Sequence, residues 1–216
     1  MRLDVFTLVP DAFAWIRERR PLAAVLGGAL ELRVFNYRDT TPLSAGQVDD
    51  EPYGGGPGMV LRVDVVAAAF DAVYGGVPDH RVVALSPQGR QLDQELVEEL
   101  AREPSLTLLS ARFEGFDQRI LDHLASDVVS IGPYVLSGGE IPALALVDAV
   151  ARRLPGALSE GSGEVESFSA ALEGGLEYPH YTRPAEFRGW SVPETLLSGD
   201  HARIAAWRRE RVRAAT

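Results

Sequence analysis

Apolar residues gather in five short runs, LDVFTLV, LELRVFNY, RVVALS, LTLLSA and DVVSI, each the length of a buried strand. Between several of them lie DVVAAAFDAVYG, LDQELVEELARE and FDQRILDHLAS, whose apolar positions recur at helical spacing. Strands and helices alternating at this interval predict an α/β fold built on a largely parallel sheet. Residues 141–154 are apolar on almost every side, Asp148 and the closing Arg152 and Arg153 excepted, which predicts a buried helix stopped by Pro155 and Gly156. ALSEGSGEVES follows, with the Gly/Ser/Glu composition of a mobile linker. What remains is too short for a core of its own and reads as a helical appendage that packs on something else. The boundaries are therefore a domain over residues 1–157, a linker over 158–171 and a short helical C-terminal domain over 172–216.

Composition narrows the function. At 216 residues and 46% hydrophobic the chain can bury a substantial core. No apolar run has membrane-spanning length and MRLDVFTLVP lacks the sections of a signal peptide, so a cytoplasmic location with no membrane partner is expected. The absence of cysteine excludes disulfides, thiolate metal sites and cysteine nucleophiles. A net charge of −10 argues against a protein that coats nucleic acid nonspecifically. A local basic patch is still available, because the tail carries Arg203, Arg208, Arg209, Arg211 and Arg213 against Glu210 alone.

Candidate chemistry sits in loops. LSPQGR, ARFEGFDQR and GPYVLSGGE each follow a predicted strand, where an open parallel sheet forms its ligand crevice. Neither GxGxxG nor GxxxxGK[ST] occurs, so a ligand there is held by backbone groups without a phosphate cradle. SGGE also admits a plainer reading, with Ser137 capping the helix and Glu140 closing a capping box. VDDEPYGGGPGM is either a long surface turn or a functional loop. Arg152 and Arg153 suit the negative end of a helix dipole, and Glu160, Glu164 and Glu166 suit a solvated linker. Histidines 80, 123, 180 and 201 show no metal-ligand spacing, and His201 belongs to a helix start.

Taken in order, VDDEPYGGGPGM, LSPQGR, RFEGFDQR, SIGPYVLSGGE, PHYTRP and VPETLLSGDHARIAAWRRE resemble the bacterial tRNA (guanine-N1)-methyltransferases of the SPOUT class, from Arg2 to about Arg211. The resemblance implies a deep trefoil knot at GPYVLSGG, threaded around S-adenosylmethionine. The implied cofactor residues are Leu85, Ser86, Pro87, Gly89, Ala111, Glu114, Gly115, Ile131, Gly132, Pro133, Tyr134, Val135, Leu136, Gly138, Gly139 and Glu177. It further implies a homodimer with the active site at the subunit interface, and methylation of N1 of the guanosine 3′ of the anticodon. That chemistry needs a base for the N1 proton and a cation near the guanine oxygen. By resemblance Glu166 is the base, Arg152 the cation and Asp50 a substrate-side acid. Magnesium is associated with the reaction in the family, and nothing in this sequence locates it.

The chain departs from the family pattern at several of these positions. Glu166 and Glu177 stand where the family has aspartates, Pro133 replaces the Asp of IGDY, and Ala111 replaces a Gly. TPLSAGQ, Thr41 to Gln47, is uncharged where members carry a His/Arg-rich run, and RVRAAT ends the chain earlier than in members whose C-terminal domain grips tRNA. Two further readings stand beside the tRNA enzyme: a diverged methyltransferase for another RNA, a small molecule or a peptide, and a binding module that has lost its base.

Overall fold

The computed structural model describes residues 1–19, 22–159 and 166–214. Within them the chain divides into two compact units, Met1–Leu158 and Ser159–Thr216. The first begins with β1 (Arg2–Thr7), the one-turn helices α1 (Ala14–Arg17) and α2 (Leu22–Val25), and β2 (Glu31–Asn36). A two-rung antiparallel hairpin, β3 (Asp49–Asp50) and β4 (Val60–Leu61), encloses the Gly-rich stretch. Then come α3 (Val63–Tyr74), β5 (Arg81–Gln91), α4 (Gln94–Ala101), β6 (Ser105–Ser110), α5 (Gln118–His123), β7 (Asp127–Ser130) and α6 (Glu140–Ala151).

All five expected strands form one sheet in the order β2-β1-β6-β5-β7, and every pairing is parallel. A parallel sheet is covered on both faces, which explains runs that are apolar at successive positions. Side chains alternate between two cores. Leu3, Val5, Val83, Leu106 and Leu108 pack with α2, α4 and α6, while Phe6, Val82, Ala84 and Leu109 pack with α3 and α5. Strand β5 is interrupted: Leu85 pairs with Val129, and the ladder resumes at Arg90, so Ser86–Gly89 leave the sheet as a loop inside one strand. Gly89 allows that return, because a Cβ there would collide with the Val128–Val129 backbone.

Helix α6 differs from expectation. It stops at Ala151 and is buried only on the side of Ala143, Leu146, Val147 and Val150. Ile141, on its other side, is 60% exposed.

The second unit, taken by itself, is not wholly helical. A hairpin, β8 (Glu186–Phe187) and β9 (Trp190–Ser191), turns through Arg188 and Gly189 at positive φ. Helices α7 (Glu194–Leu197) and α8 (His201–Arg209) follow, with Asp200 accepting from the N–H groups of Ala202 and Arg203. His201 thus opens a helix, as its sequence context suggests. Trp207 is the buried anchor, with Arg211 stacked 4.2 Å from its ring centroid. Glu160 and Glu164 lie outside the described residues.

One charge is fully buried in the sheet. Asp4 accepts from Arg33 Nε at 2.6 Å and Nη2 at 2.7 Å, and from the Tyr74 hydroxyl at 2.7 Å. Burial holds the Tyr74 phenol above its ordinary value, so it remains a donor. Removing the carboxylate's charge weakens both contacts, although Arg33, 35% exposed, can still reach water and Tyr74 keeps Thr107 as a partner. Asp4→Asn should therefore lower the unfolding free energy by about 2 kcal/mol, read from urea denaturation; an unchanged midpoint would deny the network its structural role.

Candidate active site

The loop inside β5 and the loops at the carboxyl ends of β6 and β7 meet and enclose a cavity of about 310 Å³, within the usual range of ligand pockets. Of the residues expected there, Leu85, Ser86, Pro87, Ala111, Glu114, Gly115, Ile131, Gly132, Tyr134, Val135, Leu136, Gly138 and Gly139 line it. Gly89 sits behind the wall against Val128, and Pro133 is exposed outside it. Glu177 belongs to the second unit.

Close backbone packing shapes the wall. The Gly139 N–H donates to Ala111 O at 2.7 Å, and Ser110 Oγ donates to Gly139 O at 3.1 Å. A Cβ on Gly139 would sit 2.8 Å from Ser110 Cα, so only glycine permits this approach. Phe113 takes a left-handed backbone, φ 63°, uncommon for a bulky residue, and thereby turns the loop at the cavity rim. That loop is stitched to the Gly-rich hairpin: Glu114 N–H donates to Met59 O and Leu61 N–H to Gly115 O. The stretch VDDEPYGGGPGM is thus the arm of a hairpin beside the cavity.

The capping-box reading of SGGE is corrected. Gly139, not Ser137, precedes the helix, and no side chain caps it. Glu140 instead points inward, only 5% exposed, and accepts from Thr7 Oγ1 at 2.9 Å and Arg112 Nε at 3.4 Å. Beside it, burial and then the Glu140 charge push the Tyr37 hydroxyl well above the usual phenol range. Tyr37 therefore stays neutral.

Other expected residues are not brought to the cavity wall. Asp50 lies on β3, where its carboxylate accepts from Arg62 Nη1 at 2.8 Å, and Arg62 forks onto Asp64 as well. Arg62 holds Asp64 below the ordinary carboxylate range. Arg152 forms the C-terminal end of α6, twelve positions beyond Glu140, or about 18 Å along the axis. Arg153 pairs with Glu98 at 3.3 Å. Glu166 and Glu177 lie in one folded turn of the second unit, where Ser167 Oγ accepts from Glu177 N–H and Phe168 N–H donates to Gly175 O. The uncharged loop Thr41–Gln47 is closed by Thr41 Oγ1 on Gln47 O and carries Arg38 on Gly46 O, each at 2.6 Å.

The wall also includes Gln88, Arg112, Phe113, Phe116, Leu121, Val129, Ser130 and Pro142. Arg112 lies inside the RFEGFDQR motif and could have been read there. Thr7 carried no signal, since it meets Glu140 across 133 positions. Among the described residues no group of three or more His, Asp or Glu could hold a metal ion, and no helix is long and apolar enough to cross a membrane.

The sheet and cavity define an α/β protein whose ligand pocket lies outside the carboxyl ends of parallel strands. The family described as tRNA (Guanine-1)-methyltransferase TrmD matches residues 1–216, and the chain belongs to it. A Brevibacillus brevis relative named tRNA (guanine-N(1)-)-methyltransferase is 47% identical over 214 residues, covering 96% of this chain and 85% of its own. Relatives of the same name from Gloeobacter violaceus and Geobacter metallireducens are 48% and 46% identical. They cover 97% and 98% of this chain, and 92% and 86% of their own.

Gly139→Ala should lower the melting temperature by about 5 °C, since overpacking costs roughly 1–3 kcal/mol. Gly28→Ala, whose nearest neighbour is 3.7 Å away, should leave it unchanged. Equal melting curves for the two variants would contradict the close packing at Gly139.

Proposed function

We propose that this chain transfers a methyl group from S-adenosylmethionine to N1 of a tRNA guanosine, the one 3′ of the anticodon, in the cytoplasm. Family membership over residues 1–216 carries the reading. The cavity's composition supports the cofactor: apolar and glycine walls suit an adenosine, while Arg112 and Glu114 give one charge of each sign for an amino-acid moiety. When bound, the cofactor supplies the methyl group in activated form. Leu85–Pro87, Ile131–Gly132 and Leu136–Gly139 would hold it, largely through backbone groups. The close passage of Gly139 against Ser110 supports a thread knotted in the trefoil manner of the SPOUT class.

Guanine N1 is a weak acid, so its proton needs a base, a role we give to Glu166. Negative charge that develops on the guanine oxygen is met by Arg152. Because α6 separates Arg152 from the cavity of its own chain, the arginine that completes a site comes from a second copy. Exposed apolar residues next to the cavity, Val135 at 86% and Ile141 at 60%, support a homodimer packed there. Asp50, fixed by Arg62, acts on the substrate side. The short C-terminal unit engages tRNA through the cations of α8 and its tail, which attract phosphate.

Incubation with labelled S-adenosylmethionine and an unmodified tRNA transcript should yield 1-methylguanosine at one position, detected by nucleoside mass spectrometry. Bound cofactor without that product would overturn the assignment. Glu166→Gln should lower kcat about a hundredfold or more with cofactor Kd within about twofold; an equal fall in cofactor affinity would remove Glu166 from proton transfer.

A further inference from the structure

We infer that Glu140 is a positioning residue, which aims Arg112 at the carboxylate of the methyl donor's amino-acid moiety. The inference rests on the cofactor reading above. Glu140 is the first residue of α6 and is nearly inaccessible. A buried carboxylate is costly unless paired and hydrogen-bonded. Its Oε1 has two donors from separate parts of the fold, Thr7 at the end of β1 and Arg112 in the loop after β6. Its Oε2 lies against Gly138, where a Cβ would come within 2.5 Å of it. One carboxylate therefore touches β1, the Arg112 loop and the glycine loop at the point where they close the cavity.

Arg112 is the only cationic side chain on that wall among the described residues, and its side chain is 40% exposed. Among the described residues Glu140 meets it through Nε alone, at 3.4 Å, so the terminal nitrogens are left for another acceptor. A guanidinium presents donors in a fixed fork, so orienting one edge orients the other. The acceptor chemistry that suits such a fork is a carboxylate or a phosphate. We assign it to the donor's carboxylate because Arg112 and Glu114, two residues apart on one loop, give the paired charges that a zwitterionic amino acid requires. Thr7 fixes the anchor: its hydroxyl donates to Glu140 and itself accepts from the Val9 N–H.

Calorimetric titration without RNA separates this role from a structural one. The probes are S-adenosylhomocysteine, which carries the carboxylate, and 5′-methylthioadenosine, which lacks the whole amino-acid moiety. Wild-type protein that binds neither would reject the cofactor reading itself. Where the wild type binds, Glu140→Gln should weaken S-adenosylhomocysteine about tenfold and leave 5′-methylthioadenosine within about twofold. Arg112→Ala should give the same selective loss, and the double variant no more than Arg112→Ala alone. Thr7→Val, which loosens the anchor and keeps the charge, should show a smaller selective loss and serves if Glu140→Gln does not fold. Equal weakening of both probes would make Glu140 merely structural. Unchanged affinity for both, as expected if Arg112 serves an RNA phosphate, would equally overturn the assignment.

Discussion

Gly139 lets the chain lie against the backbone at residues 110–111, Gly138 leaves room for the Glu140 and Arg112 side chains, and the site depends on that approach. The 2.7 Å bond from Gly139 to Ala111 fixes where α6 begins and how close it stands to the loop after β6. A side chain at Gly139 would push the two segments apart and open the cavity between them. The same approach turns the first residue of α6 inward, so that Glu140 meets Thr7 and Arg112 instead of capping its own helix. Charge is thus placed inside a buried junction, where it is less screened than at the surface.

Helix α6 sets the second dimension of the proposed site. Its amino end closes the cavity and its carboxyl end carries Arg152, so one chain offers a pocket at one end and a cation at the other. In the homodimer we propose, a second copy resolves that separation by bringing the carboxyl end of its helix to each pocket. Ile141 on α6 and Val135 are the exposed apolar side chains that the proposed pairing would bury.

Much of this was legible in the sequence. Five apolar runs marked five strands, because a parallel sheet covered on both faces needs apolar residues at successive positions. The motif loops marked most of the cavity wall, because strand ends in such a sheet converge on one crevice. The capping box was wrong for a definable reason: Ser-x-x-Glu is a local pattern, and a contact between Glu140 and Thr7 outweighed it. Periodicity likewise described α6 as buried all round, since an exposed apolar residue such as Ile141 has the composition of a core. The hairpins β3–β4 and β8–β9 have only two residues per strand, too few for any alternation to register.

The central claim is that one α6 serves two sites, and mixing two inactive variants tests it directly. Arg152→Ala keeps an intact cavity, while the double variant Arg112→Ala/Glu114→Ala keeps Arg152. Dissociated, mixed and reassociated, they should recover about a quarter of wild-type methyl transfer, since half the dimers would hold one complete site. Activity no higher than that of either variant alone would contradict the shared site and require Arg152 to act within its own chain.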